Sequence, residues 1–250
     1  MNFFKKSILF TLAFSLMSFS VRADINVVTT IKPLHSLISN VMKGVGEPSL
    51  IIEGTSNPHN FVLKPSHAKL LQDADIIFWV GEDLEAFIEK PLKSLAKDTK
   101  KISFMELGSI SKLTFREENI FDHDDHEEHD DHDGHKEDDH DDHEEHDDHE
   151  DHDEHNHGEF DAHLWLDPVN AKKMVIEISH ELSELDPTNK NRYKANADKT
   201  IEDLDGLIEE VNQLLSKDIS YVVFHDAYQY FEKRFEVTSA GALTLNPDVL

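Results

Sequence analysis

The sequence contains no cysteine. This absence excludes disulfide bonds, metal sites built on thiolates and a lipid-modified N-terminal cysteine. Long apolar runs are missing as well, and the longest candidate, at residues 7–21, is shorter than the roughly 20 apolar residues that span a bilayer. Positive charge is also scarce, because 24 Lys and Arg face 52 Asp and Glu and give a formal net charge of -28. Such a chain is unsuited to nucleic acids or anionic membranes, so we expect cations as its partners.

The N-terminus is typical of a secretory signal peptide. Lys5 and Lys6 supply positive charge, residues 7–21 are apolar, and Val21 and Ala23 occupy the cleavage positions. We therefore expect residues 1–23 to be removed and the mature chain to act in a bacterial periplasm, without stable insertion into the membrane.

One stretch of low complexity dominates the charge. Residues 122–159 hold 22 acidic residues against one lysine, which is -21 of the formal -28, and histidines recur throughout them. Imidazole nitrogens suit zinc, copper and nickel, and a segment with almost no apolar side chains cannot fold by itself. We expect a disordered, His/Asp/Glu-rich insertion over about residues 117–160 that collects metal ions weakly. The alternative is a solubilising spacer.

Upstream of this insertion, short apolar runs alternate with helical segments, a pattern typical of βαβ units on a parallel sheet. The predicted strands are residues 25–30, 50–53, 76–80 and 101–104, and the predicted helices are residues 33–43, 66–72 and 84–96. A further helix is predicted from Pro168 to Leu185. We therefore expect an N-terminal α/β lobe over residues 24–185.

Apolar residues spaced three and four apart, from Tyr193 to Leu215, predict a long helix. About 30 residues would form a rod of roughly 45 Å, and we assign residues 186–217 to this linking helix. Residues 218–250 then begin a second α/β lobe, with a buried strand predicted at 221–224 and another at 236–240. Two strands make a poor sheet, so we expect either a fragment that ends at Leu250 or an unusually small lobe.

Six histidines lie outside the acidic stretch. Three of them carry no further signal and are expected to be ordinary surface or core residues: His35, His67 and His180. The other three lie where an apolar element gives way to a loop, the position at which open α/β sheets bind ligands: His59, His163 and His225. The intervals between these three, about 100 and 60 residues, are not a metal motif by themselves.

Five short stretches carry a more specific signal. They read VTTIKPL at 28–34, PHNFVLKPS at 58–66, AD…WVG at 74–81, HLWLDP at 163–168 and FHDAY at 224–228. In order and spacing, and with the histidine-rich insertion between them, they resemble the periplasmic zinc-uptake solute-binding proteins of bacterial ABC transporters. The resemblance covers essentially the whole mature chain.

This resemblance implies two α/β lobes, each with a parallel sheet, joined by a long rigid helix, with the metal in the cleft between them. It implies His59, His163 and His225 as ligands, and zinc as the cargo, because relatives that take manganese tend to have glutamate at the position of His225. Three neutral imidazoles also favour zinc. Two departures concern further ligands: Pro58 stands where some relatives have glutamate, and a late aspartate of other relatives would lie beyond Leu250. The fourth ligand is therefore water, a residue of the insertion or a group absent from this sequence.

We expect a monomeric zinc carrier that docks on a membrane permease and does not bind nucleic acid. A different reading is an extracytoplasmic metal buffer or chaperone that acts mainly through the histidine-rich insertion. Three histidines and a water on zinc also occur in hydrolases, with Glu53 or Asp226 as the nearby carboxylate. Either carboxylate could instead orient a ligating imidazole, and we expect no catalysis.

Overall fold

The computed structural model describes residues 25–116 and 159–244. The predicted signal peptide at 1–23 lies outside the described residues, as do nearly all of the predicted insertion at 117–160 and the last six residues. Within the described ranges, no helix combines the length and the apolar character needed to cross a bilayer.

A four-stranded parallel sheet forms the centre of the first lobe. Its strands are β1 (Val27–Thr29), β2 (Ser49–Leu50), β3 (Ile76–Trp79) and β4 (Lys100–Ser103), in the order β2-β1-β3-β4. All three pairings are parallel. Every residue of β1 and β3 is buried, as expected for parallel strands that are covered on both faces. The predicted α/β class is therefore confirmed.

Helices cover this sheet. They are α1 (Lys32–Met42), α2 (Pro65–Asp73), α3 (Glu82–Leu95) and α4 (Pro168–Leu185). Proline stands in the first turn of α1, α2 and α4, where its missing N–H costs nothing. The side chain of Asp167 caps α4 by accepting a hydrogen bond from the backbone N–H of Val169 at 2.9 Å.

The long helix, α5 (Lys190–Leu214), connects this lobe to the rest of the chain. It has 25 residues and is about 38 Å long, shorter than predicted, because a separate 3-10 turn occupies Pro187–Asn189. Its first half packs on the first lobe, where the side-chain amide of Asn196 donates to the carbonyls of Val41 and Lys43 at 2.8 and 2.9 Å.

The second lobe consists of β5 (Val222–His225), α6 (Gln229–Phe235) and β6 (Gly241–Thr244). The two strands pair in parallel, with His225 opposite Thr244. The strand predicted at 236–240 is wrong, because α6 ends there and Glu236 adopts a left-handed conformation with a φ of 54°. The prediction of a buried β5 is also wrong: Val222 and Phe224 are 63% and 60% exposed, and only alternate side chains face inward.

Candidate metal centre

Three histidine side chains meet at one point between the lobes. His59, His163 and His225 each offer a ring nitrogen, and these nitrogens all lie within 4.8 Å of one another. The Nε2 atoms of His163 and His225 are 3.3 Å apart. Two nitrogens bound at 2.0–2.1 Å to one tetrahedral zinc ion would be separated by about 3.3 Å. The spacing therefore suits a shared ion, and equally a hydrogen bond between the two rings.

His59 lies in the loop that leaves β2. Its backbone N–H donates to the side-chain oxygen of Asn57 at 3.0 Å, which closes a tight turn just before the histidine. After the histidine, the ring of Phe61 packs against that of Phe87 in α3, with centroids 5.4 Å apart. The loop is thus fixed on both sides of a half-buried imidazole.

His163 is buried immediately before the short 3-10 turn Leu164–Leu166. Its ring Nδ1 lies 2.7 Å from Oδ1 of Asp161, and its backbone N–H donates to the same oxygen at 2.9 Å. This arrangement directs the opposite nitrogen, Nε2, toward His225. Asp161 was not among the carboxylates considered from the sequence, although its position two residues before a candidate ligand is a readable signal.

His225 is the last residue of β5, and its neighbour Asp226 is one of the two carboxylates that the sequence offered for orienting an imidazole. Asp226 forms an ion pair with Arg116, with 3.2 Å between the closest atoms. Burial raises the pKa of the Asp226 carboxyl, and the charge of Arg116 opposes this effect. Arg116 also pairs with Glu232 of α6. Burial pushes the pKa of Glu232 upward, but hydrogen bonds from Arg116, Ser239 and Tyr221 outweigh it, and the pKa is lowered.

Polar contacts dock α6 onto the first lobe beside the histidine cluster. Arg234 donates twice to the carboxylate of Asp167, at 2.7 Å each. The hydroxyl of Tyr230 donates to the carbonyl of Asp161 at 2.8 Å and accepts the backbone N–H of Leu113 at 3.0 Å. These contacts hold the lobe that carries His225 against the segment that carries His163.

The histidine-rich insertion leaves the fold close to this centre. Thr114 and Phe160 form an antiparallel bridge, and the backbone N–H of Asp161 donates to the carbonyl of Leu113 at 2.8 Å. The bridge residue Phe160 is followed three positions later by His163. The described ends of the insertion therefore lie next to one another and next to a cluster histidine.

The other three histidines lie elsewhere. His35 bonds the carbonyl of Pro48 at 3.1 Å, and His67 accepts the backbone N–H of Lys64 at 3.1 Å. His180 is exposed and belongs to a second group of possible donors with two glutamates. Lys100 forms ion pairs with both glutamates of that group, so a cation of the protein already contacts both carboxylates and offsets one of their two negative charges.

Comparison with known proteins gives one consistent result over most of the chain. Residues 27–249 match the family described as zinc-uptake complex component A, periplasmic. The high-affinity zinc uptake system protein ZnuA of Brucella abortus (strain 2308) is 47% identical over 227 residues, covering 89% of this chain and 68% of the relative. The protein of the same name from Yersinia pestis is 32% identical over 229 residues, covering 91% of this chain and 68% of the relative.

Solved structures agree with the fold. The zinc-bound AdcA of Streptococcus pneumoniae has a TM-score of 0.61 at 25% identity, and the match covers 87% of this chain but only 39% of AdcA. A crystal structure of ZnuA has a TM-score of 0.64 at 21% identity, covering 88% of this chain and 71% of that one, and supports the fold alone. The match to the family extends over nearly all of the sequence, and the chain therefore belongs to the family of periplasmic zinc-uptake complex component A.

Proposed function

We propose that this chain is the periplasmic zinc-binding component of an ABC uptake transporter, and that it captures one zinc ion on His59, His163 and His225. The observation that carries the proposal is the meeting of three imidazole nitrogens within 4.8 Å of one another. An all-nitrogen donor set suits zinc, whereas manganese, magnesium and calcium prefer oxygen ligands. The family supports the assignment, since the relatives carry the name of a zinc uptake system.

In this proposal the centre is largely preformed. His59 and His163 come from the first lobe and His225 from the second, and the ion pair between Arg234 and Asp167 holds the lobes together. Capture of zinc then requires small movements of loops, not a wide hinge closure. Loading adds two positive charges at the junction of the lobes, which gives a permease a feature by which to distinguish the loaded form.

The fourth ligand in this proposal is a water molecule. Among the residues that the structure describes, the cluster offers three donor groups, all of them histidines. The carboxylates of Asp161 and Asp226 already bond other groups of the protein. Asp161 accepts the backbone N–H of His163 and the side-chain N–H of Gln229, and Asp226 pairs with Arg116. A hydrolase would need one of them as a general base for the bound water. The family is one of solute-binding transport proteins, and we propose carriage without catalysis.

The test is a competition titration of zinc against a chromophoric chelator, with the full chain and with a variant that lacks residues 122–158. We expect one tight site in both proteins and additional weak sites only in the full chain. His59→Ala, His163→Ala and His225→Ala should each weaken the tight site by more than about 100-fold, because loss of a direct ligand exceeds the 10–100-fold typical of outer-shell changes. His180→Ala, a change of an exposed histidine beside carboxylates, is the matched control.

Two results would contradict the proposal. If the variant with all three histidines changed to alanine kept the tight site, the three histidines would not be the ligands. The alternative hypothesis, a metal buffer that acts through the histidine-rich insertion, would then be favoured. Loss of the tight site on deletion of residues 122–158 would also place a required ligand there. Zinc-edge X-ray absorption of the loaded protein should give three nitrogens and one oxygen near 2.0–2.1 Å.

A further inference from the structure

A buried carboxylate, Asp161, stands between the segments that carry His163 and His225. Its side chain is 1% exposed. Oδ1 accepts the backbone N–H of His163 at 2.9 Å and lies 2.7 Å from the ring Nδ1 of the same residue. Oδ2 accepts the side-chain N–H of Gln229 at 2.7 Å. Both oxygens therefore face nitrogen atoms that can donate, the arrangement that suits an ionised carboxylate.

This contact determines which nitrogen of His163 carries the hydrogen. An ionised carboxylate accepts hydrogen bonds and cannot donate one, so the short contact to Nδ1 requires a hydrogen on Nδ1. A neutral imidazole with that hydrogen keeps its free electron pair on Nε2. Nε2 is the atom that lies 3.3 Å from Nε2 of His225, on the side where the histidines meet.

The same carboxylate also reaches the second lobe. Gln229 is the first residue of α6 and follows His225 by four positions. Its amide donates both to Asp161 and to the carbonyl of Thr114, at 2.7 and 3.2 Å. A displacement of the loop that carries His225 is thereby opposed by the group that orients His163.

We propose that Asp161 is a positioning residue for zinc capture, which holds His163 in the Nδ1–H form with Nε2 free for the ion and ties that ring to the loop of His225. The proposal rests on the function proposed above. Carboxylates that accept the second N–H of a ligating imidazole fix its orientation and raise its basicity, and their loss typically costs 10–100-fold in metal affinity.

The test uses the metal-free full chain, labelled with ¹⁵N-histidine, at about pH 8. Long-range ¹H–¹⁵N correlation spectra report the hydrogen-bearing nitrogen of each ring, and His163→Gln assigns the signal. We expect the Nδ1–H form in the parent protein, a shift toward the Nε2–H form in Asp161→Ala, and an intermediate result in Asp161→Asn, whose remaining oxygen can still accept from Nδ1. Zinc affinity should fall by about 10–100-fold in Asp161→Ala and by less in Asp161→Asn.

Glu85→Gln is the matched control. Like Asp161, Glu85 has a buried carboxyl group that accepts backbone N–H groups, but its donors are those of Val80 and Gly81 and not of a histidine. The control should leave the tautomer and the zinc affinity unchanged. Retention of the Nδ1–H form by Asp161→Ala would overturn the proposal, as would an equal loss of zinc affinity in the control. The tautomer is measured on the metal-free protein. A parent protein that failed to bind zinc would therefore refute the proposed function, while the effect of Asp161 on the tautomer of His163 would still be measured.

Discussion

Glu85 should give the folding stability of this protein a distinct dependence on pH. Its carboxyl group is fully buried at the end of β3, where Oε2 accepts the backbone N–H groups of Val80 and Gly81 at 2.8 and 3.2 Å. Its own φ and ψ, -127° and 47°, interrupt the first turn of α3. Burial raises the pKa of Glu85 to about 7 from 4.5, although both of these hydrogen bonds favour the charged form.

The magnitude follows from linkage. A rise from 4.5 to about 7, at 1.36 kcal/mol for each pH unit, corresponds to about 3 kcal/mol. Between these two pH values the folded protein retains a proton that the unfolded chain releases. The contribution of Glu85 to stability is therefore fully present below about pH 4.5 and is lost as the pH rises through about 7.

Urea denaturation of the parent protein and of Glu85→Gln, from pH 5 to pH 8, measures this effect. Glutamine keeps an oxygen for the two amides but cannot ionise, so the stability of the variant relative to the parent should increase by about 2.5 kcal/mol between pH 5 and pH 8. Asp73→Asn, at an exposed carboxylate that pairs with Lys69, provides a control with a nearly constant difference. A constant difference between Glu85→Gln and the parent across this range would refute the reasoning.

Other substitutions test the junction, the backbone and the cargo. Arg116→Met leaves Asp226 and Glu232 buried without their cation, and urea denaturation should show a loss of about 3–5 kcal/mol in stability. Gly81→Ala places a Cβ 2.8 Å from the side chain of Met105 at a φ of 154°, so it should lower the stability by about 1–3 kcal/mol in the same assay. Gly108→Ala, whose new Cβ meets open space, is the control and should be nearly neutral. Zinc at 100 times its dissociation constant should stabilise the parent protein by about 2.7 kcal/mol in thermal scans, and a chelator should reverse this gain. The variant with all three histidines changed to alanine should show no stabilisation by zinc.

The sequence predicted β1 and β3 well because these two strands are buried on both faces. Such strands appear as continuous apolar runs, and residues 76–79 were assigned with an error of one residue at one end. The second lobe was predicted less well. α6 has seven residues, too few for a clear helical period, and it ends in a left-handed Glu236 instead of the glycine that usually marks such an end.

The sequence predicted the three histidines of the candidate site but not the ion pairs of the charged residues around them. The three histidines could be selected because each follows or precedes an apolar element, and the family resemblance pointed to the same three. Arg116 could not be selected, because its partners Asp226 and Glu232 lie more than a hundred residues away in the sequence and meet it only through the docking of α6. Periodicity carries no information about such long-range pairs.

The charges at the junction add a second reason for a divalent ion. The junction holds four carboxylates, of Asp161, Asp167, Asp226 and Glu232, and two guanidinium groups, of Arg116 and Arg234. With all of them ionised the junction carries a net charge of -2 around three neutral imidazoles. Entry of a divalent cation balances this charge, and buried charges are retained at low cost only when they are paired. In the proposed function this charge would attract divalent cations in general, and the imidazole donors would select zinc over the magnesium and calcium ions that carry the same charge but prefer oxygen.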